Sequence, residues 1–162
     1  MHNIYQVGFA LQALNYHIMN ELVWFKPNAS PNLSCRFFTH SHETVIWAKK
    51  DKKAKHTFNY NQMRQWDTDK IHNKDKQMRS VWNIPLTPQK EKINGKHPTQ
   101  KPIELLNRII TASTNKNDVI LDPFNGSGTT GVVAKRLERK YIGIEKEEEY
   151  LDLTLKRMEQ LR

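Results

Sequence analysis

The stretch Asp122-Pro123-Phe124-Asn125-Gly126-Ser127-Gly128-Thr129-Thr130-Gly131 decides the fold, and it follows the apolar run Val119-Ile120-Leu121. Residues 118–122 are predicted to form a short, buried strand, and the glycines after them a loop. A helix is predicted to run from this loop to about residue 139, and residues 141–145 are predicted to form a second strand. A strand, a loop, a helix and a strand within about 30 residues make a βαβ unit, which implies a parallel sheet.

The spacing of the glycines suggests a bound nucleotide-like molecule. Gly126, Gly128 and Gly131 match the pattern G-x-G-x-x-G, and Glu145, at the end of the second predicted strand, stands where a ribose-binding acid is expected. No Gly-Lys-Ser/Thr follows, which excludes a phosphate-binding P-loop. Asp122 would repel a pyrophosphate but attract the ammonium and sulfonium of S-adenosylmethionine. The loop therefore favours S-adenosylmethionine, and a nicotinamide-dependent oxidoreductase fragment is the alternative.

A second motif makes this interpretation more specific. The loop, together with His97-Pro98-Thr99-Gln100-Lys101-Pro102 upstream of it, resembles the two cofactor motifs of the DNA amino-methyltransferases. Their position late in the chain resembles the circularly permuted β class of that family. Further segments resemble adenine methyltransferases of restriction–modification systems, namely residues 2–5, 22–28, 42–48 and 77–82. The resemblance is strongest from Lys96 to Tyr150. It implies an α/β fold with a partial Rossmann-like, mostly parallel sheet and an irregular, basic insertion for target recognition.

The resemblance also implies a set of cofactor-binding residues. Asp122 and Phe124 would flank the cofactor, Lys101 or its neighbours would hold its carboxylate, and Glu145 would hold the ribose. The whole predicted set is His97, Thr99, Gln100, Lys101, Asp122, Pro123, Phe124, Gly126, Ser127, Gly128, Thr129 and Glu145. Each has a simpler alternative: Thr129 could cap a helix, Phe124 could pack in a core and Lys101 could be a surface charge.

The motif that performs the chemistry in this family is absent from the sequence. Family members position the target amine with Asp/Asn/Ser-Pro-Pro-Tyr/Phe/Trp, after the base has left the duplex stack. Asp122-Pro123 is the only Asp-Pro pair here, and Phe124 follows it. In the β class that motif precedes the segment resembling residues 2–5, so the chain is expected to begin inside the family pattern. No catalytic residue is assigned, and the chain alone is predicted to be inactive. A separate N-terminal segment or a homodimer partner could complement it.

Positive charge is concentrated in the middle of the chain. Residues 49–101 hold fourteen basic and five acidic side chains, which accounts for the whole net charge of +9. Such segregation suggests a polyanionic partner, with nucleic acid first, and the resemblance implies double-stranded DNA, with lysines on phosphates and arginines on guanine edges. The predicted DNA-binding residues are Lys26, Arg36, Lys49, Lys50, Lys52, Lys53, Lys55 and Arg79. A solvated lysine-rich loop and a non-enzymatic DNA-binding remnant are the alternatives.

These patterns divide the chain into three regions. Residues 1–48, with a predicted helix at 3–15 and strands at 17–25 and 43–48, would belong to the catalytic half. Residues 49–96 would contact DNA, and residues 97–162, with a helix whose first turn contains Pro102, would bind the cofactor.

The composition of the sequence bears on the cellular compartment of the protein and on metal binding. The sequence has no apolar run of about 18 residues and no stretch with the pattern of a secretion signal, and its one cysteine, Cys35, fits a reducing compartment, so a cytoplasmic protein is expected. Cys35, His40 and His42 are too few and too loosely spaced for a structural zinc site, so no metal is expected.

Overall fold

The computed structural model describes residues 3–64, 66, 77–95 and 97–160, and its internal contacts separate the chain into two units. The first unit comprises Met1–His56 and Arg64–Pro85, and the second comprises Thr57–Met63 and Leu86–Arg162. No helix in these described ranges is long and apolar enough to cross a membrane.

The first unit contains a three-stranded mixed sheet. Its elements are α1 (Ile4–Ala13), β1 (His17–Phe25), β2 (His42–Lys49) and β3 (Val81–Asn83). The strand order is β2-β1-β3, with β1 antiparallel to β2 and parallel to β3. The predicted helix and the two predicted strands are thus confirmed to within about two residues. The pairing of β1 with β2 departs from the parallel arrangement expected for most of the sheet.

Trp24 ties β1 to the end of β3, and Trp82 stabilises the segment that leads into β3. The Trp24 side chain is buried in β1, and its indole N–H donates to the carbonyl of Ile84 at 2.6 Å. The amide of Ile84 in turn donates to the carbonyl of Phe25 at 3.0 Å. Trp82 is also buried, and its indole N–H donates to the carbonyl of Arg79 at 2.8 Å. Buried indoles with satisfied N–H groups therefore order residues 79–84, where the sequence pattern predicted no element.

The second unit contains the predicted βαβ arrangement. Its first element is α2 (Tyr60–Arg64), of which the residues up to Met63 belong to this unit. The other elements are a 3₁₀ turn (Gln89–Glu91), α3 (Ile103–Ser113), β4 (Val119–Asp122), α4 (Thr129–Arg136), β5 (Lys140–Gly143) and α5 (Glu148–Glu159). Strands β4 and β5 are parallel, with Val119 opposite Lys140 and Asp122 opposite Gly143. The helices bury an apolar core of Leu105, Ile110, Ala112, Val132, Val133, Ala134 and Leu153.

In the part of the chain that the structure describes, one face of β4 and β5 is exposed, which corrects the prediction of a buried strand. The ring of Tyr141 packs closely on α4 at Gly131. A Cβ added at Gly131 would lie only 2.5 Å from that ring. The next pair of residues in register, Leu121 and Ile142, points the other way, and both side chains are more than half exposed. Alternation along a strand sends successive side chains to opposite faces, so an apolar run alone cannot tell whether both faces are covered.

Three element boundaries also differ from prediction, and the first is that of α4, which ends at Arg136 and not near residue 139. Strand β5 ends at Gly143, so Glu145 lies two residues beyond the strand and not at its end. Pro102 precedes α3 as its N-cap, in an extended conformation, and does not occupy the first turn. The side chain of Glu91 accepts the amide hydrogen of Ile103 at 2.9 Å, so the first free N–H of α3 is satisfied from outside the helix.

Candidate functional site

The loop between β4 and α4 is packed directly onto α5. Gly126 and Gly128 have φ angles of +51° and +69°, a left-handed conformation that glycine adopts at little cost. A Cβ added at Gly128 would lie only 2.4 Å from Cγ2 of Thr154. The glycine at position 128 is therefore required both by its backbone conformation and by the close approach of α5.

Asp122 connects the end of β4 with the start of α4. Its carboxylate accepts the amide hydrogen of Phe124 at 3.1 Å and the hydroxyl hydrogen of Thr130 at 2.6 Å. Negative charge is favourable near the N-terminus of a helix, where backbone N–H groups are unpaired. Asp122 thus organises the loop while its side chain remains partly exposed.

Glu145 holds the loop from the other strand. One carboxylate oxygen accepts the amide hydrogen of Gly126 at 2.7 Å, and the other accepts those of Lys146 at 2.9 Å and Glu147 at 3.1 Å. These hydrogen bonds, led by that from Glu147, lower the pKa of Glu145, and the nearby His97 lowers it further. Glu145 is therefore ionised at neutral pH. A carboxylate has about four acceptor sites, so capacity remains for a ligand hydroxyl.

The structure brings the segment 97–101 to the same loop. The ring of His97 lies 4.4 Å from that of Tyr150, centroid to centroid, and a Cβ added at Gly126 would be 3.1 Å from Nε2 of His97. Nδ1 of His97 accepts the amide hydrogen of Thr99 at 3.2 Å. The carbonyl of Lys101 accepts the hydroxyl hydrogen of Thr129 at 3.1 Å. The two motifs, about 20 residues apart in sequence, thus form one continuous surface.

The predicted cofactor residues differ in how accessible they are. Phe124 is 89% exposed at the loop, which excludes the alternative that it packs in the core of this chain. Pro123 and Thr99 are exposed, whereas Gln100, Ser127 and Thr129 are buried. Nε2 of Gln100 donates to the carbonyl of Glu91 at 2.7 Å, and its Oε1 is buried without a hydrogen-bond partner in the described part of the chain. The buried Ser127 and Thr129 thus form the packed part of the loop, and the exposed residues are available to a ligand.

A hydrogen-bond network that involves Asn125 and Arg157 was not predicted from the sequence. Asn125 is buried; its amide donates to the hydroxyl of Thr154 at 2.8 Å and its carbonyl oxygen accepts the Tyr141 hydroxyl hydrogen. Burial, with a contribution from the charge of Asp122, raises the pKa of the Tyr141 phenol. The phenol therefore keeps its proton and remains a hydrogen-bond donor. The guanidinium of Arg157 donates to the carbonyl of Ser127 at 2.6 Å and to the hydroxyl of Thr129 at 3.0 Å. The sequence signal that could have indicated this network is the three-residue spacing of Thr154 and Arg157, which places both on one face of α5.

The predicted DNA-binding residues fall into two groups. Lys26 forms an ion pair with Glu43 at 3.3 Å and lies 5.4 Å from the centre of the Trp24 ring, and Lys49 donates to the carbonyl of Ala54 at 3.0 Å. Those two ammonium groups therefore have roles within the fold. The remaining residues of the predicted set are exposed, namely Arg36, Lys50, Lys52, Lys53, Lys55 and Arg79.

The turn that presents these lysines is ordered by one acid. The side chain of Asp51 accepts the amide hydrogens of Lys53 at 2.7 Å and of Ala54 at 2.8 Å. This is the local hydrogen bonding by which aspartate stabilises tight turns. We call the exposed residues Lys50, Lys52, Lys53 and Lys55 the lysine turn. Within the described ranges, no group of three or more His, Cys, Asp and Glu residues could hold a metal ion.

The chain matches known proteins over most of its length. A family model described as DNA methylase, for N6 and N4 methyltransferases, matches residues 1–156. The type II methyltransferase M2.LlaDCHI of Lactococcus lactis subsp. cremoris is 57% identical over 159 residues, which are 98% of this chain and 57% of that protein. The type II methyltransferase M2.DpnII of Streptococcus pneumoniae is 57% identical over 160 residues, which are 98% of this chain and 58% of that protein. The chain thus spans a little over half the length of these relatives.

Solved structures show the same fold. The crystal structure of the M1.HpyAVI–SAM complex superposes with a TM-score of 0.76 at 34% identity, covering 97% of this chain and 70% of that chain. The cytosine-N4-specific PvuII DNA methyltransferase superposes with a TM-score of 0.74 at 24% identity, covering 96% of this chain and 56% of that chain. The second likeness concerns the fold alone.

Proposed function

Because this chain belongs to the N6/N4 DNA methylase family, we propose that it forms the cofactor-binding and target-recognition part of a site-specific DNA methyltransferase. The donor would be S-adenosylmethionine and the acceptor an exocyclic amine, with adenine favoured over cytosine. The observation that carries the proposal is the meeting of segment 97–101 with the glycine loop at Gly126 and Thr129. The preference for adenine rests on the segments that resemble adenine methyltransferases.

The residues at the loop suit this cofactor. Asp122 and Glu145 supply two carboxylates, which complement a ligand carrying an ammonium and a sulfonium, and Glu145 can accept a hydrogen bond from a ribose hydroxyl. The exposed ring of Phe124 offers an apolar surface beside them. When bound, S-adenosylmethionine supplies an electrophilic methyl group. A dinucleotide would place a pyrophosphate near Asp122, which is unfavourable.

The uncovered face of β4 and β5 supports a role for a further polypeptide segment. Val119, Leu121, Ile142 and Ile144 are each more than half exposed on these two strands and the residue after them. Parallel sheets are normally covered on both faces, and contiguous apolar patches mark interaction surfaces. We propose that a segment bearing an Asp-Pro-Pro-Tyr motif packs on this face and positions the target amine.

Binding of S-adenosylhomocysteine without methyl transfer is the expected behaviour of the isolated chain. Calorimetric titration should show saturable binding of S-adenosylhomocysteine and none of NAD, because the acidic loop disfavours a pyrophosphate. Transfer of labelled methyl groups to DNA should appear only when a polypeptide carrying Asp-Pro-Pro-Tyr is added. The same polypeptide with its tyrosine replaced by alanine is the control. Binding of NAD, or of neither ligand by a folded chain, would contradict the proposed cofactor site.

Replacing the four residues of the lysine turn by glutamine is expected to weaken DNA binding and flatten its salt dependence. Each phosphate neutralised by a lysine contributes about 0.9 to the magnitude of the slope of log affinity against log salt. The slope should therefore fall by up to about 0.9 for each lysine of the turn that contacts a phosphate. Fluorescence anisotropy with a labelled duplex at several salt concentrations measures this. The matched control replaces four exposed lysines of the second unit, Lys116, Lys135, Lys140 and Lys156. An equal effect in both variants would remove the lysine turn from the interface.

A further inference from the structure

A cavity of about 400 Å³ in the second unit has a basic lining that neither predicted site explains. Lys90, Arg136 and Arg157 line it, together with Glu91, Ile103 and Val132. None of these residues belongs to the predicted cofactor-binding or DNA-binding sets. The residues come from the 3₁₀ turn and from helices α3, α4 and α5, so the cavity lies among the helices of this unit. We call it the basic pocket.

The positive charge of the basic pocket is only partly compensated. Arg157 is 6% exposed, and within the described ranges neither it nor Lys90 or Arg136 forms an ion pair with an acid. The one carboxylate in the lining, Glu91, accepts the amide hydrogen of Ile103 at 2.9 Å. Burial lowers the pKa of Arg157; the charge of Glu91 opposes this, and that of Arg136 reinforces it. Two guanidinium groups therefore lie close enough to repel one another.

We propose that the basic pocket binds a phosphate group. A concave surface with three cations and one carboxylate selects an anion, and guanidinium groups match the geometry of phosphate oxygens with paired hydrogen bonds. A bound phosphate would also relieve the repulsion between Arg136 and Arg157. The phosphate could be a free inorganic ion or part of a nucleic acid backbone, since both present the same oxygens.

Arg157 connects the basic pocket with the glycine loop. The same guanidinium that lines the pocket donates to the carbonyl of Ser127 and to the hydroxyl of Thr129. An anion that holds Arg157 in place therefore also holds these two hydrogen bonds. Phosphate binding should slow hydrogen exchange at the amides of residues 126–129, whether or not a cofactor is present.

Thermal denaturation of the whole chain with increasing sodium phosphate tests the proposal, with sodium chloride at equal ionic strength as the reference. Phosphate should raise Tm saturably and beyond the chloride effect. The double variant Lys90→Gln/Arg136→Gln should weaken this response by roughly tenfold or more. Neither residue makes a hydrogen bond or ion pair through its side chain in the described structure, so folding should be unaffected. The control Lys116→Gln/Lys140→Gln should respond as wild type.

Duplex DNA titrated against the same variants separates the two sources of phosphate. DNA affinity that is unchanged in Lys90→Gln/Arg136→Gln, with the phosphate response abolished, identifies a free anion as the ligand. Weakening of both identifies a backbone phosphate. A phosphate response no larger than that to chloride, or a double variant that responds like wild type, would overturn the proposal. Because every readout is independent of the cofactor, failure here is distinguishable from failure of the proposed function.

Discussion

Replacement of Gly128 by alanine is expected to lower the free energy of unfolding by about 2 to 5 kcal/mol. The φ angle of +69° costs any residue with a Cβ about 1–2 kcal/mol. The added Cβ would also lie 2.4 Å from Cγ2 and 2.5 Å from Oγ1 of Thr154, which is buried in α5. Overpacking of this kind costs typically about 1–3 kcal/mol. Urea denaturation followed by circular dichroism measures the change.

Gly8→Ala is the matched control for this substitution. Gly8 lies within α1, and the nearest atom to its added Cβ is Cδ1 of Ile46 at 3.9 Å, an ordinary contact. Alanine in a helix is favoured over glycine by about 1 kcal/mol, so this variant should be unchanged or more stable. If both variants unfold at the same urea concentration, the glycine loop does not approach α5 as closely as described.

Glu145→Ala is expected to weaken binding of S-adenosylhomocysteine about 100-fold or more. The substitution removes the acceptor of three amide hydrogens, those of Gly126, Lys146 and Glu147, so the loop loses its tie to the segment after β5. It also removes the proposed partner of a ribose hydroxyl. Because three of its about four acceptor sites are occupied, the carboxylate can hold one ribose hydroxyl, and the loss of that charge-assisted hydrogen bond together with the order of the loop accounts for an effect of this size. Isothermal titration calorimetry measures the affinity.

Two further variants make the result specific. Glu145→Gln keeps one oxygen acceptor and should fall between wild type and Glu145→Ala. Glu159→Ala removes an exposed acid near the end of α5 and should bind as wild type does. Near-normal affinity in a folded Glu145→Ala variant would show that Glu145 does not hold the ligand, and the site assignment would then fail.

Much of the fold could be predicted because its signals are local. The apolar residues Val119-Ile120-Leu121, the glycines after them and the periodicity of the next helix each depend on neighbours a few positions away, and the structure confirms β4, α4 and β5. The mixed first sheet was only partly predicted, because β3 is held by hydrogen bonds of Trp24 and Phe25 to Ile84, about 60 residues along the chain. Strand pairing over that distance leaves no periodic pattern.

The sequence by itself determined the family resemblance, the βαβ unit and the two motifs around the glycine loop, because these depend on residue type and short spacing. The tertiary structure alone decided which side chains support the loop. Arg157 reaches Ser127 and Thr129 across 28 to 30 positions, and Thr154 reaches Asn125 across 29. It also decided that Lys26 pairs with Glu43 and that Leu121 is exposed. Such contacts arise from packing between elements distant in sequence, so they become visible only when the chain is folded.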